Sequence, residues 1–571
     1  MYALKHPTAI VARGIENIII VEKNSTHFPV RLACAALSRL ISITVFPVIL
    51  LLETLFYRIP RMLCAIDDQK KFNSRADTVG KYLLAFVLFP FGIRAGDGVS
   101  IFFLRRFPSP SVLPFGREEK HGLRMDRVLH PQKTYELENI VKEAIRDKKQ
   151  VSVVGAGMSQ GTQTVPKDPH QVVVTMENFR QIEVFEERNL VKVGAGATWE
   201  KIQMELNKRK KSVIVKQASD IFSVGGSIGI NCHGWAHEAG PLSNTVVSLD
   251  IIDANGEFRT LTPEDELFGC IFGTLGYFGI VVNATLKIVD NVRLEESTTE
   301  IDSAEFAAHY ARDIQNHNYP LFGGRLSLDG GKKDPLGKVC MVQYECKGNT
   351  PLVTPKFIFE PRRGTVVERI GLNLLAHLYD VSAKILTRWF WSKERKAMLR
   401  GNKFLTRNAA LHPPINSFTM LHHSDLHAQW LQEYFVTKDH LAEFLSYLGS
   451  ILKKNKVRLV NATIRPVLRD TVSILPYAEQ DRFAVVISFA QWKTRKAVRK
   501  TKAWVQEVNR HLIARHDKYY QAYFPFASRD EFRLCYGEDC VDNLQRLKEK
   551  HDPHHVFGNR YTAKYFDRES Q

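Results

Sequence analysis

The chain has 571 residues, of which 44% are hydrophobic and 25% are charged. This length exceeds what one hydrophobic core supports, so roughly two or three domains are expected, and the composition excludes wholesale disorder. The formal net charge of +18 favours anionic partners, such as an acidic membrane surface or a phosphorylated cofactor.

The residue pattern excludes two further classes of protein. No nucleic-acid-binding motif is found, so nucleic acid is not expected as a partner. The eight cysteines are scattered and form neither a disulfide framework nor a zinc-binding pattern, so no metal is expected. Because nothing in the pattern requires disulfides, we expect the folded domains in a reducing compartment, the cytoplasm.

Residues 1–110 differ from the rest of the chain by two apolar runs with basic flanks. The first run extends from Leu40 to Tyr57, and the second extends from Tyr82 to Ile93, which is too short for a straight transmembrane helix. Basic flanks on such segments suit contact with anionic lipid. We therefore expect residues 1–110 to associate with a membrane, by a transmembrane helix or by lying on its surface. The alternative is a helical pair buried against the remaining chain or in a dimer contact.

From about Arg127 onwards the chain alternates helices and strands. The stretch TYELENIVKEAIR starts at Thr134, a residue type suited to an N-cap, and places its apolar residues on one face. Strand patterns follow in VSVV, QVVV and QIEVFEERNLVKV, and later on both sides of the Asn255-Gly256 turn and in GIVVNATLKIVD. Residues 120–290 are therefore predicted to form an α+β domain.

A glycine-rich turn follows the predicted strand VSVV, residues 151–154. In VSVVGAGMSQGTQT, Gly155, Gly157 and Gly161 allow successive backbone N–H groups to point at one phosphate. The spacing departs from a dinucleotide fingerprint, because the third glycine is displaced and Met158 lies in the middle. The alternative is that these glycines only form tight turns.

Four stretches, in this order, resemble the FAD-binding domain of the vanillyl-alcohol oxidase and p-cresol methylhydroxylase (PCMH) superfamily. They are HPQKTYELENIVKEA, VVGAGMSQG, QASDIFSVGGSIGINCHGWAHEAGPLSNTVVSLDIIDANGE and LFGCIFGTLGYFGIVVNATLKI. In character the chain is most similar to aldonolactone-oxidase-like members, such as D-arabinono-1,4-lactone oxidases, and to decaprenylphosphoryl-ribose-oxidase-like members. The resemblance implies a two-subdomain, PCMH-type FAD-binding domain over residues 120–290, with FAD as the cofactor.

The resemblance also implies which residues hold FAD. The glycine-rich turn would bind the pyrophosphate, with the Ser159 hydroxyl as an added donor, and Gly225 and Gly226 would allow close backbone approach. The implied cofactor-binding residues are Gly155, Ala156, Gly157, Met158, Ser159, Gln160, Gly161, Ser219, Asp220, Val224, Gly225, Gly226, Ile228, Asn231, His233, Gly234, Gly279, Ile280 and Val281.

Met158 occupies the position at which many relatives carry a histidine bonded covalently to the flavin. A thioether does not form that bond under ordinary conditions, so the resemblance implies non-covalent FAD. Cys232 lies in the second flavin segment, but its surroundings differ from those of cysteine-linked members, and we interpret it as a packing residue. His233 either approaches the flavin or is a hydrogen-bonded structural histidine.

Residues 291–535 again mix helices and strands and resemble the α+β substrate-binding cap of aldonolactone-oxidase-like members. In those relatives a Glu-x-Arg pair faces the flavin. Here Arg465 in NATIRP matches the arginine, but Thr463 stands at the glutamate position, which argues against sugar-lactone specificity. Residues 536–571 resemble the final helix and Asp-Pro turn that return to the flavin domain.

Flavin oxidation of an alcohol needs a base for the hydroxyl proton and a positive charge near the reduced flavin. We expect Arg465 or Lys564 to supply the positive charge. The candidates for the base are His233, Glu433, His422 and His423.

Three functions are compatible with this pattern. The first is a membrane-associated FAD-dependent oxidoreductase that takes a hydride from a hydroxyl-bearing sugar, lactone, polyol or lipid-linked substrate. Its electron acceptor would be oxygen, a quinone or a protein. The second is flavin-dependent reduction of a lipid C=C bond, as in sterol Δ24-reductases. The third is a flavin-binding module without catalytic activity. The sequence leaves the oligomeric state open.

Overall fold

The computed structural model describes residues 127–568, apart from 168–169, 316, 329–334, 356–386, 390, 402, 412–426, 493–494 and 525. The apolar runs of residues 1–110 and the base candidates His422 and His423 therefore lie outside the described residues. Among the helices of the described ranges, none combines the length and the apolar character that a bilayer crossing requires.

The first layer is a three-stranded parallel sheet with the strand order β1-β3-β2. It contains β1 (Arg127–Leu129), β2 (Val151–Val154) and β3 (Val172–Thr175). Helix α1 (Thr134–Arg146) connects the first two strands and buries Leu137, Val141 and Ala144, as the spacing of its apolar residues predicts. The glycine-rich turn leaves this sheet at the carboxyl end of β2.

The second layer is an antiparallel sheet with the strand order β4-β5-β9-β7-β8, and β6 pairs with β9 beside it. Its strands are β4 (Ile182–Phe185), β5 (Leu190–Gly194), β6 (Lys211–Val213), β7 (Val246–Ile252), β8 (Phe258–Leu261) and β9 (Ile280–Asp290). Its helices are α2 (Trp199–Lys208), α3 (Val224–Gly229) and α4 (Glu266–Ile271), and short 3₁₀ turns span Glu186–Arg188 and Leu242–Thr245. Gly256, with φ +74°, forms the predicted turn between β7 and β8.

The third layer is an eight-stranded antiparallel sheet with the strand order β13-β10-β12-β11-β15-β16-β14-β17. Its strands are β10 (Arg293–Asp302), β11 (Leu321–Leu326), β12 (Lys338–Cys346), β13 (Lys403–Thr406), β14 (His427–Val436), β15 (Leu459–Val467), β16 (Arg482–Trp492) and β17 (Lys518–Tyr519). We call this layer the cap sheet. The described residues therefore combine helices with three separate sheets, as the predicted α+β class requires.

Short helical segments join the strands of the cap sheet, and longer helices cover it. They are a 3₁₀ turn at Ser303–Glu305, α5 (Phe306–His309), a π turn at Tyr310–Ile314, helical residues 391–398, α6 (Arg407–Ala410), α7 (Leu441–Lys454) and α8 (Arg495–Ile513). The C-terminal helices are α9 (Arg529–Tyr536), α10 (Glu538–His551) and α11 (Arg560–Tyr565).

The two faces of the cap sheet have different neighbours. On one face Tyr434 packs edge-on against Phe444 of α7, with ring centroids 5.5 Å apart, and Phe489 packs against Trp504 of α8 at 5.3 Å. Because side chains alternate along a strand, Glu433 and Ser488 point to the opposite face. That opposite face meets the first and second layers.

The C-terminal segment lies against the first layer. Phe557 forms a parallel bridge with Val151, and the Gly558 N–H donates to the Val151 carbonyl at 3.1 Å. The buried Lys548 ammonium donates to the carbonyls of Tyr277 and Phe557 and pairs with Asp552 at 2.6 Å. These contacts fix the end of the chain against the segment that precedes β9.

Candidate functional site

One cavity of about 270 Å³ lies between the first two layers and the cap sheet. The glycine-rich turn after β2, the loop before α3 and the segment before β9 form one wall. Strands β14, β15 and β16 and the segment 520–523 form the other wall. Residues distant in sequence are thus brought together around one cavity, as in many ligand sites between domains.

The glycine-rich turn lines this cavity and contains several N–H groups without a partner among the described residues. The Ala156 N–H donates to Ser223 Oγ at 3.0 Å, and Gly157 adopts φ +70°. The N–H groups of Gly157, Met158, Ser159 and Gln160 have no hydrogen-bond partner in the described part of the chain. Adjacent unbonded N–H groups form an anion-binding nest, so the turn suits a phosphate.

Two glycines of this wall are required by packing against neighbouring residues. A Cβ atom on Gly155 would overlap Ser223 Oγ, and one on Gly225 would lie 2.9 Å from Ala195 Cβ. The Gly225 N–H also donates to the Ala195 carbonyl at 2.8 Å. The glycines therefore bring three chain segments close together, and this closeness gives a ligand access to the backbone of the wall.

The structure brings many of the predicted residues to the cavity. The predicted residues that line it are Gly155, Ala156, Gly157, Met158, Ser159, Gln160, Ser219, Gly225, Gly226, His233, Gly279, Val281, Glu433 and Arg465.

Other predicted residues lie behind the wall and support it. Asp220 pairs with the buried Lys216 at 2.8 Å, and Asn231 donates to Asp470 at 2.9 Å. A Cβ atom on Gly161 would lie 2.5 Å from the Gln163 amide, and one on Gly234 would overlap the Lys216 carbonyl. Three apolar positions complete this supporting set, namely Val224, Ile228 and Ile280.

Lys564 is not brought to the cavity. Its ammonium donates to the Ala527 carbonyl at 2.7 Å and to Tyr565 Oη at 2.6 Å, within the C-terminal segment. Burial lowers the pKa of Lys564, and the nearby Lys502 adds to that shift. These contacts position the C-terminal helix rather than a cofactor.

His233 and Glu433 form a buried hydrogen bond at the cavity, although 200 positions separate them in the sequence. The two residues are 5% and 3% exposed. His233 Nδ1 has no hydrogen-bond partner among the described residues, so the ring proton is placed at Nε2 and donated to the Glu433 carboxylate. The rings of Phe435, Tyr477 and Tyr520 lie 5.5, 6.0 and 6.2 Å from the imidazole and confine it.

Arg465 contributes a positive charge to the same cavity. The residue is 7% exposed, and within the described ranges its guanidinium donates to no carboxylate or carbonyl oxygen. It lies over the Trp235 ring, 5.1 Å from the centroid. Burial lowers the pKa of Arg465, and the nearby Glu433 opposes this shift. A buried guanidinium without a partner suits an anionic or electron-rich ligand atom.

Sequence reasoning missed several polar residues of the wall. Asn461 and Ser488 line the cavity from β15 and β16, and Tyr520 and Tyr523 line it from the segment after β17. Burial raises the pKa of Tyr523 well above its ordinary value, and Glu433 adds to the shift. The alternation of Asn461, Thr463 and Arg465 in NATIR was a usable signal, because alternate residues of a strand share a face.

The donor set fits FAD. The nest suits a pyrophosphate, and the cavity also contains buried polar atoms without a partner in the described residues, among them Ser219 Oγ, Thr463 Oγ1 and Arg465 Nε. Buried polar atoms are rarely left unsatisfied, so these atoms await a polar ligand. The apolar side chains of Val153, Leu275 and Val281 provide the rest of a surface suited to aromatic rings.

Comparison with known proteins agrees with this fit. The family described as "FAD binding domain" matches residues 125–262. A putative D-arabinono-1,4-lactone oxidase from Neurospora crassa is 28% identical over 164 residues, which are 28% of this chain and 29% of the relative. Decaprenylphosphoryl-beta-D-ribose oxidase from Mycolicibacterium smegmatis is 35% identical over 103 residues, 17% of this chain and 22% of the relative. Cytokinin dehydrogenase 1 from Arabidopsis thaliana is 28% identical over 171 residues, 28% of this chain and 29% of the relative.

The matched segments cover less than a third of each of these curated relatives. The family match at residues 125–262 includes the glycine-rich turn and the loop before α3, whereas the segment before β9 and the cap lie beyond it. Residues 125–262 therefore match an FAD-binding domain and are similar in part to these oxidases and dehydrogenases, and FAD is the cofactor of this domain.

Proposed function

We propose that this protein is an FAD-dependent oxidoreductase that oxidises a hydroxyl-bearing substrate in the cavity below the cap sheet. The observation that carries the proposal is the buried His233–Glu433 pair, which lines the same cavity as the N–H nest and Arg465. FAD, when bound, supplies the acceptor for the hydride that leaves the substrate carbon.

The residues of the cavity divide the remaining work. Glu433 accepts the proton of the substrate hydroxyl, and the hydrogen bond that His233 Nε2–H donates to it holds its carboxylate in place. His233 is a positioning residue, held by the surrounding aromatic rings. Arg465 keeps a positive charge in the cavity, where negative charge develops as the hydride leaves the substrate.

The proposed substrates are sugars, lactones, polyols or lipid-linked alcohols. One relative is named a putative D-arabinono-1,4-lactone oxidase, and another is named a decaprenylphosphoryl-beta-D-ribose oxidase. Thr463 occupies the position of a glutamate in the aldonolactone-oxidase pattern, and this difference favours a substrate other than an aldonolactone. Oxygen, a quinone or a protein would then accept the electrons.

The proposal includes membrane association through residues 1–110, with the flavin domain in the cytoplasm. Its support is the sequence pattern of two apolar runs with basic flanks. It also includes non-covalent binding of FAD, because Met158 at the cavity wall has no group that forms the 8α bond.

An anaerobic flavin-bleaching screen tests the proposed reaction. The purified full chain is mixed with polyols, lactones and polyprenyl sugars, and the loss of the flavin absorbance is followed. Bleaching by one alcohol class supports the proposal and names the substrate. Bleaching by NADPH, followed by reoxidation with an unsaturated lipid, would instead establish the C=C reductase. A yellow protein that neither class bleaches would indicate a flavin-binding module.

A further inference from the structure

The outer side of the cap carries a concentrated positive surface that the flavin site does not use. It consists of seven exposed residues at the end of α7 and in the first half of α8, which we call the basic face: Lys453, Lys454, Lys456, Lys496, Arg499, Lys500 and Lys502. The segments 453–458 and 495–502 contain no acidic residue. The positive charge is therefore not balanced within the two segments.

Two contacts hold these segments side by side. The Lys500 ammonium donates to the Asn455 carbonyl at 2.7 Å, which joins the first half of α8 to the end of α7. Lys454 pairs with Glu507 at 3.0 Å, further along α8. The basic face is thus one continuous surface of two packed helices, although about forty residues separate its parts in the sequence.

Helix stability explains only part of this surface. Lys453 lies in the last turn of α7, where a cation is stabilised by the helix dipole. In contrast, α8 has no acidic residue in its first turn, and Lys496 lies in that turn, where the helix dipole disfavours a cation. Lys496 and Lys500 are also a like-charged i,i+4 pair, which is unfavourable in an isolated helix.

Binding of an anionic partner would explain why the two helices carry basic residues that do not stabilise them. We propose that the basic face docks on an anionic lipid membrane. Helices α7 and α8 cover the face of the cap sheet opposite the flavin cavity, so docking leaves the cavity wall free.

Charge and composition favour a membrane over other anionic partners. Polybasic segments bind acidic lipid, most strongly together with apolar segments, and the sequence of residues 1–110 contains two apolar runs with basic flanks. Single-stranded nucleic acid is bound through aromatic stacking platforms, and the segments 453–458 and 495–502 contain no aromatic residue.

Vesicle flotation with the purified full chain tests the proposal. Binding to phosphatidylcholine vesicles is compared with binding to vesicles that also contain phosphatidylserine. In the test variant Lys453, Lys496 and Arg499 are replaced by glutamine, which preserves helix propensity. The control variant carries the same change at three exposed positions of the FAD-binding layers, Lys149, Arg180 and Lys287.

The expected result is a phosphatidylserine-dependent gain in binding that falls with salt. Each basic residue near such a surface raises the binding constant about fivefold, so the test variant should bind phosphatidylserine vesicles about a hundredfold more weakly than the wild type. The control variant keeps it, and both variants keep their flavin absorbance. Glycerophosphoserine at the same total concentration of headgroup should not compete, since a single headgroup cannot engage the whole face.

Two results would overturn the proposal. The first is a test variant that stays yellow and retains the full phosphatidylserine-dependent gain. The second is a wild-type chain that binds single-stranded RNA or free phosphate more tightly than phosphatidylserine vesicles at equal salt. Neither result bears on the flavin reaction, because the basic face and the cavity lie on opposite sides of the cap sheet.

Discussion

Glu433 and Thr463 lie on two strands of the cap sheet that flank β16, and both pair with Val486. Residues in one register row point to the same face, and all three line the cavity. The aldonolactone-oxidase pattern has a carboxylate at the position of Thr463. In this chain a carboxylate, that of Glu433, lies in the same register row two strands away. This relationship supports Glu433 as the proposed base.

Replacing Glu433 with glutamine is expected to slow flavin reduction by the identified substrate about 10²- to 10⁴-fold, the usual contribution of a positioned general base. The amide has nearly the same volume and still accepts a hydrogen bond from His233, so the flavin should remain bound. Anaerobic stopped-flow absorbance measures the rate. Glu443→Gln, an exposed change on α7, is the control and should reduce the flavin at the wild-type rate. A Glu433→Gln protein that matches it would remove Glu433 from the mechanism.

His233 is expected to act through Glu433, because its Nε2–H donates a hydrogen bond to that carboxylate. In His233→Phe this donor is lost, so the carboxylate is less well positioned and flavin reduction by the identified substrate should slow. His233→Gln restores a donor and should recover part of the rate. Anaerobic stopped-flow absorbance measures the rate, and the flavin absorbance shows whether each variant still binds FAD. If both variants lose the same rate, the histidine has a purely structural role.

Arg465 and Lys564 are the two candidates from the sequence for the positive charge at the flavin, and the structure separates them. Arg465→Met is expected to slow flavin reduction about 10²- to 10³-fold, as removal of one electrostatic stabiliser of the reacting centre typically does. Its thermal stability should change little, because the guanidinium has no hydrogen-bond or ion-pair partner among the described residues and a methionine can replace its contact with the Trp235 ring. Lys564→Met should leave the reduction rate unchanged. Equal effects of the two changes would contradict the geometry.

The buried thiols predict a loss of stability at alkaline pH. Burial raises the pKa of Cys232, Cys270 and Cys535 to about 12, above the ordinary value of 9.0. Because the folded-state pKa is raised, the contribution to stability is complete below pH 9.0 and is lost as the pH rises towards 12. Denaturant titrations at increasing pH measure the free energy of unfolding.

The control for this prediction is a variant with alanine at the three cysteines. Buried tyrosines also titrate at high pH, so only the difference in alkaline slope between wild type and variant reports on the thiols. The variant should show the shallower slope. Identical slopes would mean that the thiols do not titrate differently in the folded and unfolded chains.

The FAD-binding layers could be predicted from the sequence in more detail than the cap. The glycines at 155 and 225 lie where a Cβ atom would come too close to a neighbouring residue, and Gly157 has a positive φ. Because these conformations and contacts require glycine, the residue type itself marks the positions in the sequence. The His233–Glu433 contact left no such signal, because it depends on the order of the cap strands, which local periodicity does not encode. The basic face was missed for a related reason, since its charges are divided between two segments that only the packing of α7 and α8 unites.

Met158 gives the last prediction, because it lies at the cavity wall where many relatives carry the histidine bonded to flavin. Acid precipitation of the wild-type protein is expected to release all flavin into the supernatant, where absorbance measures it. Met158→His places an imidazole at the same point of the turn and should retain part of the flavin on the denatured chain, visible as fluorescence in a denaturing gel. Gln160→His, two residues along the same turn, is the matched control and should release its flavin. Flavin retained by the wild type would refute non-covalent binding, and a Met158→His protein without retained flavin would show that the methionine does not face the 8α carbon.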